Sequence, residues 1–300
     1  MVTRAIRCWM AWLGLWMPLL AGASTAIIYQ PQLRDRSVAP AQWTTLFSQV
    51  RAQGFDTLVL QWTKYGEAFG DPAGHAWLLQ RVLDARAAGL RIVLGLDGDP
   101  AFFQRQQAPT AALGDYLQTL SRRDVALARR WVDELGADAV AGWYLPIEID
   151  DQRWRDPAAR EALRIQLAAE RRQLQRLARR PVYVTSFFAG HMAPPQYARL
   201  LGDIQRGGVR IWVQDGAGTG QLDAGERGWY LAALGQCAAA HASGVVYEIF
   251  RQTGPDTAFT ATPLPAKAMA LALAQRAPCG GDSVFFELRY LPVGAPLLPR

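Results

Sequence analysis

AVAGWYLPIEIDD, residues 139 to 151, is an apolar run that ends in the acid Glu148, with Asp150 and Asp151 close behind it. A run this apolar is typical of a strand buried on both faces in a parallel sheet. An isolated carboxylate taken out of water is costly, which disfavours a chance position for Glu148. Asp150 or Asp151 suits the N-cap of the helical pattern that follows, because Asp is a preferred N-cap residue. Capping does not explain Glu148, which lies inside the predicted strand.

Similar strand-like runs alternate with helical patterns along the whole chain, and this rhythm predicts a parallel sheet with crossover helices. The eight runs are AIIYQPQ (26 to 32), DTLVLQWT (56 to 63), LRIVLGLD (90 to 97), AVAGWYLPIE (139 to 148), PVYVTSF (181 to 187), VRIWVQD (209 to 215), GVVYEIF (244 to 250) and SVFFELRY (283 to 290). Eight strands joined by seven helices predict a (β/α)8 TIM barrel that lacks its final helix. An open doubly wound sheet is the alternative, but Pro31 and Gln32 follow the first strand where such a sheet carries a G-x-G-x-x-G turn.

The N-terminus has the layout of a secretory signal peptide. Two arginines precede an apolar run over residues 8 to 20, and small residues follow at 21 to 23. We expect a signal peptide over residues 1 to 23 and a single barrel domain over residues 24 to 300. An uncleaved anchor is the alternative, although the run is short for a bilayer span. The mature chain is therefore expected to be secreted or periplasmic, with no membrane association after cleavage.

Composition disfavours several other classes of protein. The formal charge is +6, and its most basic stretch is ERRQLQRLARR at 170 to 180. That stretch fits the solvated face of a helix and lacks the interleaved aromatics of a nucleic-acid binder. His75, His191 and His241 are scattered without the spacing of a metal site, so we expect no metal and no cofactor. DGAGTG at 215 to 220 lacks the Lys-Ser/Thr of a P-loop and is interpreted as a loop at the mouth of the barrel.

Two cysteines, Cys237 and Cys279, remain after signal cleavage. An oxidising compartment would let them pair, although they could equally be buried thiols. The barrel connectivity puts Cys237 on the helix before strand seven and Cys279 in the loop before strand eight. Both segments lie on the face opposite the active site, so we expect the two residues to meet there as a disulfide.

The barrel also predicts where the active site lies, because inward-facing side chains at the C-terminal strand ends build the site in this fold. Polar residues occupy these positions on every predicted strand: Gln30, Gln61, Asp97, Glu148, Thr185 or Ser186, Gln214, Glu248 and Glu287. Glu148 and Glu248, on strands four and seven, match the two carboxyl groups of a retaining glycosidase. We predict them as the catalytic pair, with Glu248 as the nucleophile. The predicted substrate-binding residues are Gln30, Gln61, Trp62, Asp97, Tyr144, Asp150, Trp212, Gln214, Asp215 and Glu287.

The segments GWYLPIEID, VQDGAGTG and VYEIF resemble those of a secreted bacterial family, domain of unknown function 4434. The family is similar to glycoside hydrolases of the large retaining TIM-barrel clan. The resemblance spans roughly residues 25 to 292, and it implies the barrel, a polysaccharide-related role and Glu148 with Glu248 as the carboxylate pair. The chain departs from better-studied clan members by having Ile147 directly before the strand-four acid, where they place Asn.

The prediction is thus a glycoside hydrolase that acts on a bacterial polysaccharide or oligosaccharide by a two-carboxylate, retaining mechanism. Asp215 or Asp97 could replace Glu248 as the second acid, and a wider separation of the carboxyl groups would then imply inversion. Two other functions stay open: a non-catalytic carbohydrate-binding barrel, and an assembly partner in exopolysaccharide export. The distance between the Glu148 and Glu248 carboxyl groups separates catalysis from simple binding.

Overall fold

The computed structural model describes residues 23–237, 241–254 and 259–298. Eight parallel strands close into a barrel in which each strand pairs with the next along the chain and the eighth returns to the first. The strands are β1 (Thr25–Tyr29), β2 (Thr57–Leu60), β3 (Arg91–Gly95), β4 (Val140–Ile149), β5 (Val182–Ser186), β6 (Arg210–Gln214), β7 (Gly244–Glu248) and β8 (Asp282–Phe286). The predicted TIM barrel is confirmed.

Helices surround the barrel and carry the chain from the end of one strand to the start of the next. They are α1 (Pro40–Ala52), α2 (Pro72–Ala87), the single turn α3 (Phe102–Arg105), α4 (Thr110–Leu135), α5 (Pro157–Leu177), α6 (Pro194–Gln205), α7 (Ala224–Leu234) and α8 (Ala266–Leu273). From the end of β8 to Leu298, the last residue that the structure describes, the chain forms 3-10 and other turns but no α-helix. Among the described helices, none is long and apolar enough to cross a membrane.

The strands bury both faces, and this explains why they are apolar throughout. In β1, Ala26 and Ile28 pack inside the barrel, while Ile27 packs outward against the helices. The interior also holds Tyr144, Tyr183 and Trp212. These large side chains fill the middle of the barrel, so it is a packed core rather than a pore. Polar groups are then left to the two ends.

Aspartates begin several of the helices. Asp71, Asp156 and Asp223 each accept a hydrogen bond from the backbone N–H three residues on. Each bond satisfies one N–H that the first helical turn leaves without a partner. The prediction that Asp150 or Asp151 caps the helix after β4 is wrong, because Asp156 does so, directly before Pro157.

Cys237 and Cys279 form a disulfide with a Cα–Cα distance of 5.3 Å. Cys237 lies in the turn just after α7 rather than on the helix, and Cys279 lies in the loop before β8. Both residues are exposed and belong to the end of the barrel where the strands begin. The bond ties together the connections into β7 and β8.

We expect reduction of this disulfide to lower the melting temperature. The two cysteines are 42 residues apart, and the chain-entropy model gives a loop of that length about 4 kcal/mol of stabilisation. Differential scanning calorimetry with and without reductant measures the change. The Cys237→Ser/Cys279→Ser variant is the control and should melt where the reduced wild type does. An unchanged melting temperature after full reduction would show that the bond contributes nothing.

Candidate active site

A cavity of about 240 Å³ opens at the end of the barrel where the strands finish. It is lined by side chains from strands on all sides, and six of the predicted site residues are among them. The lining residues are Ile28, Gln30, Gln61, Tyr144, Glu148, Thr185, Gln214, Thr219, Val246, Glu248, Phe250, Phe259 and Phe286. Gln30, Gln61, Tyr144, Glu148, Gln214 and Glu248 are therefore brought together in one space.

Glu148 reaches this cavity from near the end of β4. It pairs with Thr185 of β5, after an irregularity in register between Tyr144 and Glu148. The side chain is partly exposed. Burial of the carboxyl group raises the pKa of Glu148 to about 6, and a hydrogen bond with the side chain of Gln214 partly offsets this effect.

Glu248 is the last residue of β7 and is almost completely buried. Its Oε2 accepts hydrogen bonds from the backbone N–H groups of Gly218, at 2.7 Å, and Thr219, at 3.2 Å. Burial, followed by the negative charge of Asp215 and a smaller effect of Glu148, raises the pKa of Glu248 to about 8, against the effect of the two N–H donors. Near neutral pH, Glu248 therefore holds a proton more readily than Glu148.

The two N–H donors come from the DGAGTG loop that follows β6. Gly216 and Gly220 have φ of +65°, a conformation that side chains rarely adopt. A Cβ on Gly218 would lie 2.7 Å from the ring of Phe250. The glycines let the backbone pass close enough to bond Glu248. The sequence marks this loop as glycine-rich, but backbone donors have no side-chain signature, and their contact with Glu248 was not predicted.

Asp215 lies outside the cavity lining. Its Oδ1 accepts hydrogen bonds from the backbone N–H of Ala217, at 3.1 Å, and of Glu248, at 3.2 Å. Burial raises the pKa of Asp215 to about 6. The residue joins the ends of β6 and β7 and adds negative charge beside Glu248.

Asp97, the other candidate for a second acid, also lies outside the lining. Its carboxylate forms an ion pair with Lys64 at 3.0 Å, and its backbone N–H donates to Asp124 at 2.7 Å. Asp97 is thus committed to neighbouring chain segments. The cavity contains Glu148 and Glu248 but neither of the two alternatives.

Glu287 and Trp212 are predicted substrate contacts that the structure places in other surroundings. Glu287 accepts hydrogen bonds from the backbone N–H of Gln30 at 3.0 Å and from Arg289 Nε at 3.2 Å. It therefore lies against the backbone at the C-terminal end of β1. Trp212 stacks on Tyr183 at 4.1 Å and donates to Asp282 at 3.0 Å, deep in the barrel. The alternation of side chains along β6 correctly indicates that Trp212 points into the barrel. It does not indicate how deep in the barrel the side chain lies.

Asp150 lies in the loop after β4, where it accepts from Gln106 Nε2 at 2.9 Å and from the backbone N–H of Gln152 at 2.8 Å. The acid after it, Asp151, is fully buried and accepts from three backbone N–H groups between Ala189 and Met192. Both acids hold loops in place. Neither lines the cavity.

Trp62 lines a second, adjoining cavity of about 570 Å³. Gln30 lines both spaces and so connects them. Tyr65 stacks on Trp62 at 4.2 Å and leaves its own ring partly exposed. Glu148 is close enough to Tyr65 to contribute to the raised pKa of its phenol, after burial and Asp99. A groove with an aromatic wall therefore extends from the two glutamates.

The described residues include no group of three or more His, Cys, Asp or Glu side chains arranged to hold a metal ion. The three histidines predicted to be scattered are apart. His75 of α2 pairs with Glu134 of α4 at 2.6 Å, while His191 and His241 lie in separate loops. The polar side chains that line the cavity carry carboxyl, amide and hydroxyl groups.

The closed barrel of eight parallel strands is a TIM barrel. Solved structures share this fold. A putative α-L-fucosidase from Bacteroides thetaiotaomicron VPI-5482 is similar with a TM-score of 0.60 and 16% identity, over 95% of this chain and 91% of that one. The β-amylase catalytic domain of Paenibacillus polymyxa has a TM-score of 0.53 and 8% identity, over 91% and 94% of the two chains. At these identities the similarity is one of fold.

The chain belongs to the family described as Domain of unknown function (DUF4434), whose model matches residues 25–295. It is 46% identical over 277 residues to the uncharacterized protein YbcH of Escherichia coli (strain K12), covering 92% of this chain and 93% of the relative. The family predicted from the three quoted segments is confirmed.

Gly218→Ala tests whether the loop donors control the charge of Glu248. The added Cβ would meet the Phe250 ring, so we expect the Gly218 N–H to move off Oε2. Because that donor favours the ionised form, its loss should raise the pKa of Glu248 by up to about one unit. Carboxyl-carbon NMR of glutamate-labelled protein measures the titration. Gly228→Ala, on α7 with no atom within 4 Å of the new Cβ, is the control. An unchanged titration in Gly218→Ala would contradict the assigned role of the loop.

Proposed function

We propose that this protein is a glycosidase that hydrolyses a bacterial polysaccharide or oligosaccharide with Glu148 and Glu248. The observation that carries the proposal is that these two carboxyl groups line the same cavity with different raised pKa values, about 6 and about 8. Near pH 7 the pair holds one proton and one negative charge. Hydrolysis of a glycosidic bond requires one acid to protonate the leaving oxygen and one carboxylate to attack the anomeric carbon or activate water.

We assign Glu248 as the nucleophile. The pKa of Glu248 is the higher of the two, so the shared proton of the resting pair favours Glu248, and the reactive form is the one in which that proton lies on Glu148. The N–H groups of Gly218 and Thr219 both point at its Oε2, and such donors stabilise a carboxylate that must be negative when it attacks and again when it leaves. Among the residues that the structure describes, the one side chain shown to bond Glu148 is the neutral amide of Gln214, which can serve both the charged and the neutral form of the carboxyl group. We therefore assign Glu148 as the acid that protonates the leaving group and then as the base that activates water.

The rest of the cavity suits a sugar ring. Gln30, Gln61 and Gln214 offer amide donors and acceptors, and Gln61 Oε1 is buried without a hydrogen-bond partner among the described residues. A sugar hydroxyl would satisfy that acceptor. The exposed face of Tyr65, in the adjoining cavity, can stack on a neighbouring sugar unit. The groove accordingly suits a chain of at least two sugars.

An extracytoplasmic location agrees with this role. The disulfide between Cys237 and Cys279 is typical of an oxidising compartment, and the N-terminal sequence has the layout of a signal peptide. We propose that the mature enzyme acts in the periplasm or outside the cell.

The direct test incubates the chain from residue 24 onward with a panel of bacterial exopolysaccharides and analyses released fragments by mass spectrometry. We expect fragments from at least one polymer. Glu148→Gln and Glu248→Gln should each lower turnover at least about a hundredfold, because an amide keeps the volume but can neither donate a proton nor attack. Asp115→Asn, which alters an exposed acid on α4 outside the cavity, is the matched control. Binding of a polymer without cleavage by the wild type would instead identify a non-catalytic carbohydrate-binding barrel.

Azide assigns the two roles. With an aryl glycoside that carries a good leaving group, azide should restore turnover to Glu248→Ala and give a glycosyl azide of inverted configuration. In Glu148→Ala, azide should give the retained configuration by attacking the glycosyl-enzyme. Proton NMR of the glycosyl azide distinguishes the inverted product from the retained one. An inverted product from Glu148→Ala would reverse the assignment.

The activity should also depend on pH in a bell-shaped manner. It should rise as the first proton leaves the pair near pH 6 and fall as the second leaves near pH 8. These limbs belong to the pair as a whole, so the same bell is expected whichever glutamate donates the proton. Measurement of kcat/KM against pH checks the limbs. A value of kcat/KM that stays constant from about pH 5 to about pH 9 would contradict a pair that shares a single proton.

A further inference from the structure

A second concavity lies at the opposite end of the barrel, where the strands begin. Its volume is about 1030 Å³, several times that of the candidate active site. The first residues of β3, β4, β6 and β8 line it, together with the turns that lead into β1, β5 and β7. We call this space the basal bowl. Nothing in the proposed hydrolysis uses it.

The basal bowl is strongly basic. Five arginines line it, Arg86, Arg91, Arg179, Arg180 and Arg210, against two acids, Asp138 and Asp282. Asp282 is buried and accepts from Trp212 and from the backbone of Ser24. Asp138 is fully exposed and lies 3.4 Å from Arg180. Arg91 is also paired, with Asp56 at 2.8 Å, so the uncompensated positive charge of the bowl lies on Arg86, Arg179 and Arg210.

Most of this charge faces solvent. Arg86 and Arg179 are exposed and make no ion pair or side-chain hydrogen bond with any described residue. Arg210 is also exposed and lies over the ring of Tyr183. Arg179 and Arg180 are the last residues of the run ERRQLQRLARR, which the sequence suggests is only a solvated helix face. Three arginines that line one concavity without an acidic partner in the described part of the chain favour the binding of an anion there.

The chain enters the barrel at the same place. Ala23 and Ser24, the first residues that the structure describes, line the basal bowl. The candidate active site opens at the other end of the barrel. Binding of a surface at the basal bowl would therefore leave the groove beside the two glutamates open to substrate.

We propose that the basal bowl docks the protein onto an anionic membrane surface, with lipid phosphate groups accepting hydrogen bonds from its arginines. Guanidinium groups bind phosphate in a bidentate manner, and each arginine near an anionic bilayer strengthens binding about fivefold. A membrane is favoured over a soluble acidic glycan because the sequence before Ala23, which contains the apolar run over residues 8 to 20, joins the barrel at this face in the uncleaved chain. This is peripheral binding rather than a span, and it revises the expectation of a mature chain free of the membrane.

The test uses the chain from Ser24 onward, which holds every strand of the closed barrel and lacks the apolar run. It is sedimented with vesicles of equal parts phosphatidylglycerol and phosphatidylcholine, and with vesicles of phosphatidylcholine alone. We expect binding only to the anionic vesicles, weakening as salt is added. Arg86→Gln/Arg179→Gln should lower the partition coefficient about 30-fold.

Arg122→Gln/Arg123→Gln is the matched control, because it removes the same charge from exposed positions midway along α4, outside the basal bowl. Its partition coefficient should stay within about threefold of the wild type. Melting temperatures check that both double variants are folded. Equal losses of vesicle binding in the two double variants would mean that net charge alone explains the binding, and would overturn the proposal. Absence of binding to anionic vesicles would overturn it too, as would binding to alginate but not to vesicles, which would assign the bowl to an acidic glycan.

Discussion

The candidate site depends on keeping two carboxyl groups in one small cavity without a cation beside either. Neither Glu148 nor Glu248 has a cationic partner among the residues that the structure describes. Burial of both groups, together with the negative charge of Asp215 beside Glu248, then leaves only one of them charged near neutral pH. What makes this arrangement tolerable is a small set of neutral donors: two backbone N–H groups at Glu248 and the Gln214 amide at Glu148. A lysine or arginine in their place would hold both groups negative and leave no proton for an acid to donate.

The other acids at this end of the barrel position the loops that hold the pair. Asp215 bonds the start of the DGAGTG loop, Asp151 bonds the loop after β5, and Glu287 bonds the backbone of Gln30. Behind Glu287, Arg289 pairs with the buried Asp35, which accepts from the hydroxyl of Tyr29. These bonds satisfy backbone and ionic groups that strand ends would otherwise leave unpaired. The rigidity of the site rests on them.

The barrel and the paired glutamates could be predicted from the sequence because both follow from periodicity. Apolar runs fixed the strands, and alternation at their ends placed Gln30, Gln61 and Gln214 correctly in one space with the two acids. Depth and hydrogen-bond partners could not be predicted in this way. Trp212 has the inward direction but ends in the core, while Asp150 and Asp215 bond backbone groups whose positions depend on the tertiary fold. The Arg-rich run has ordinary helical spacing, and only the packed barrel brings its end beside Arg86 and Arg210.

Covalent trapping tests the central claim most directly. The protein is incubated with a panel of sugar-configured epoxides, which a retaining glycosidase opens by protonating the epoxide oxygen and attacking its carbon. After proteolysis, mass spectrometry locates the bound sugar. The account predicts one label, on Glu248 in the segment GVVYEIF, formed only while Glu148 is intact to supply the proton. A label on Asp215 or another residue outside the cavity, or labelling that persists unchanged in Glu148→Gln, would contradict it.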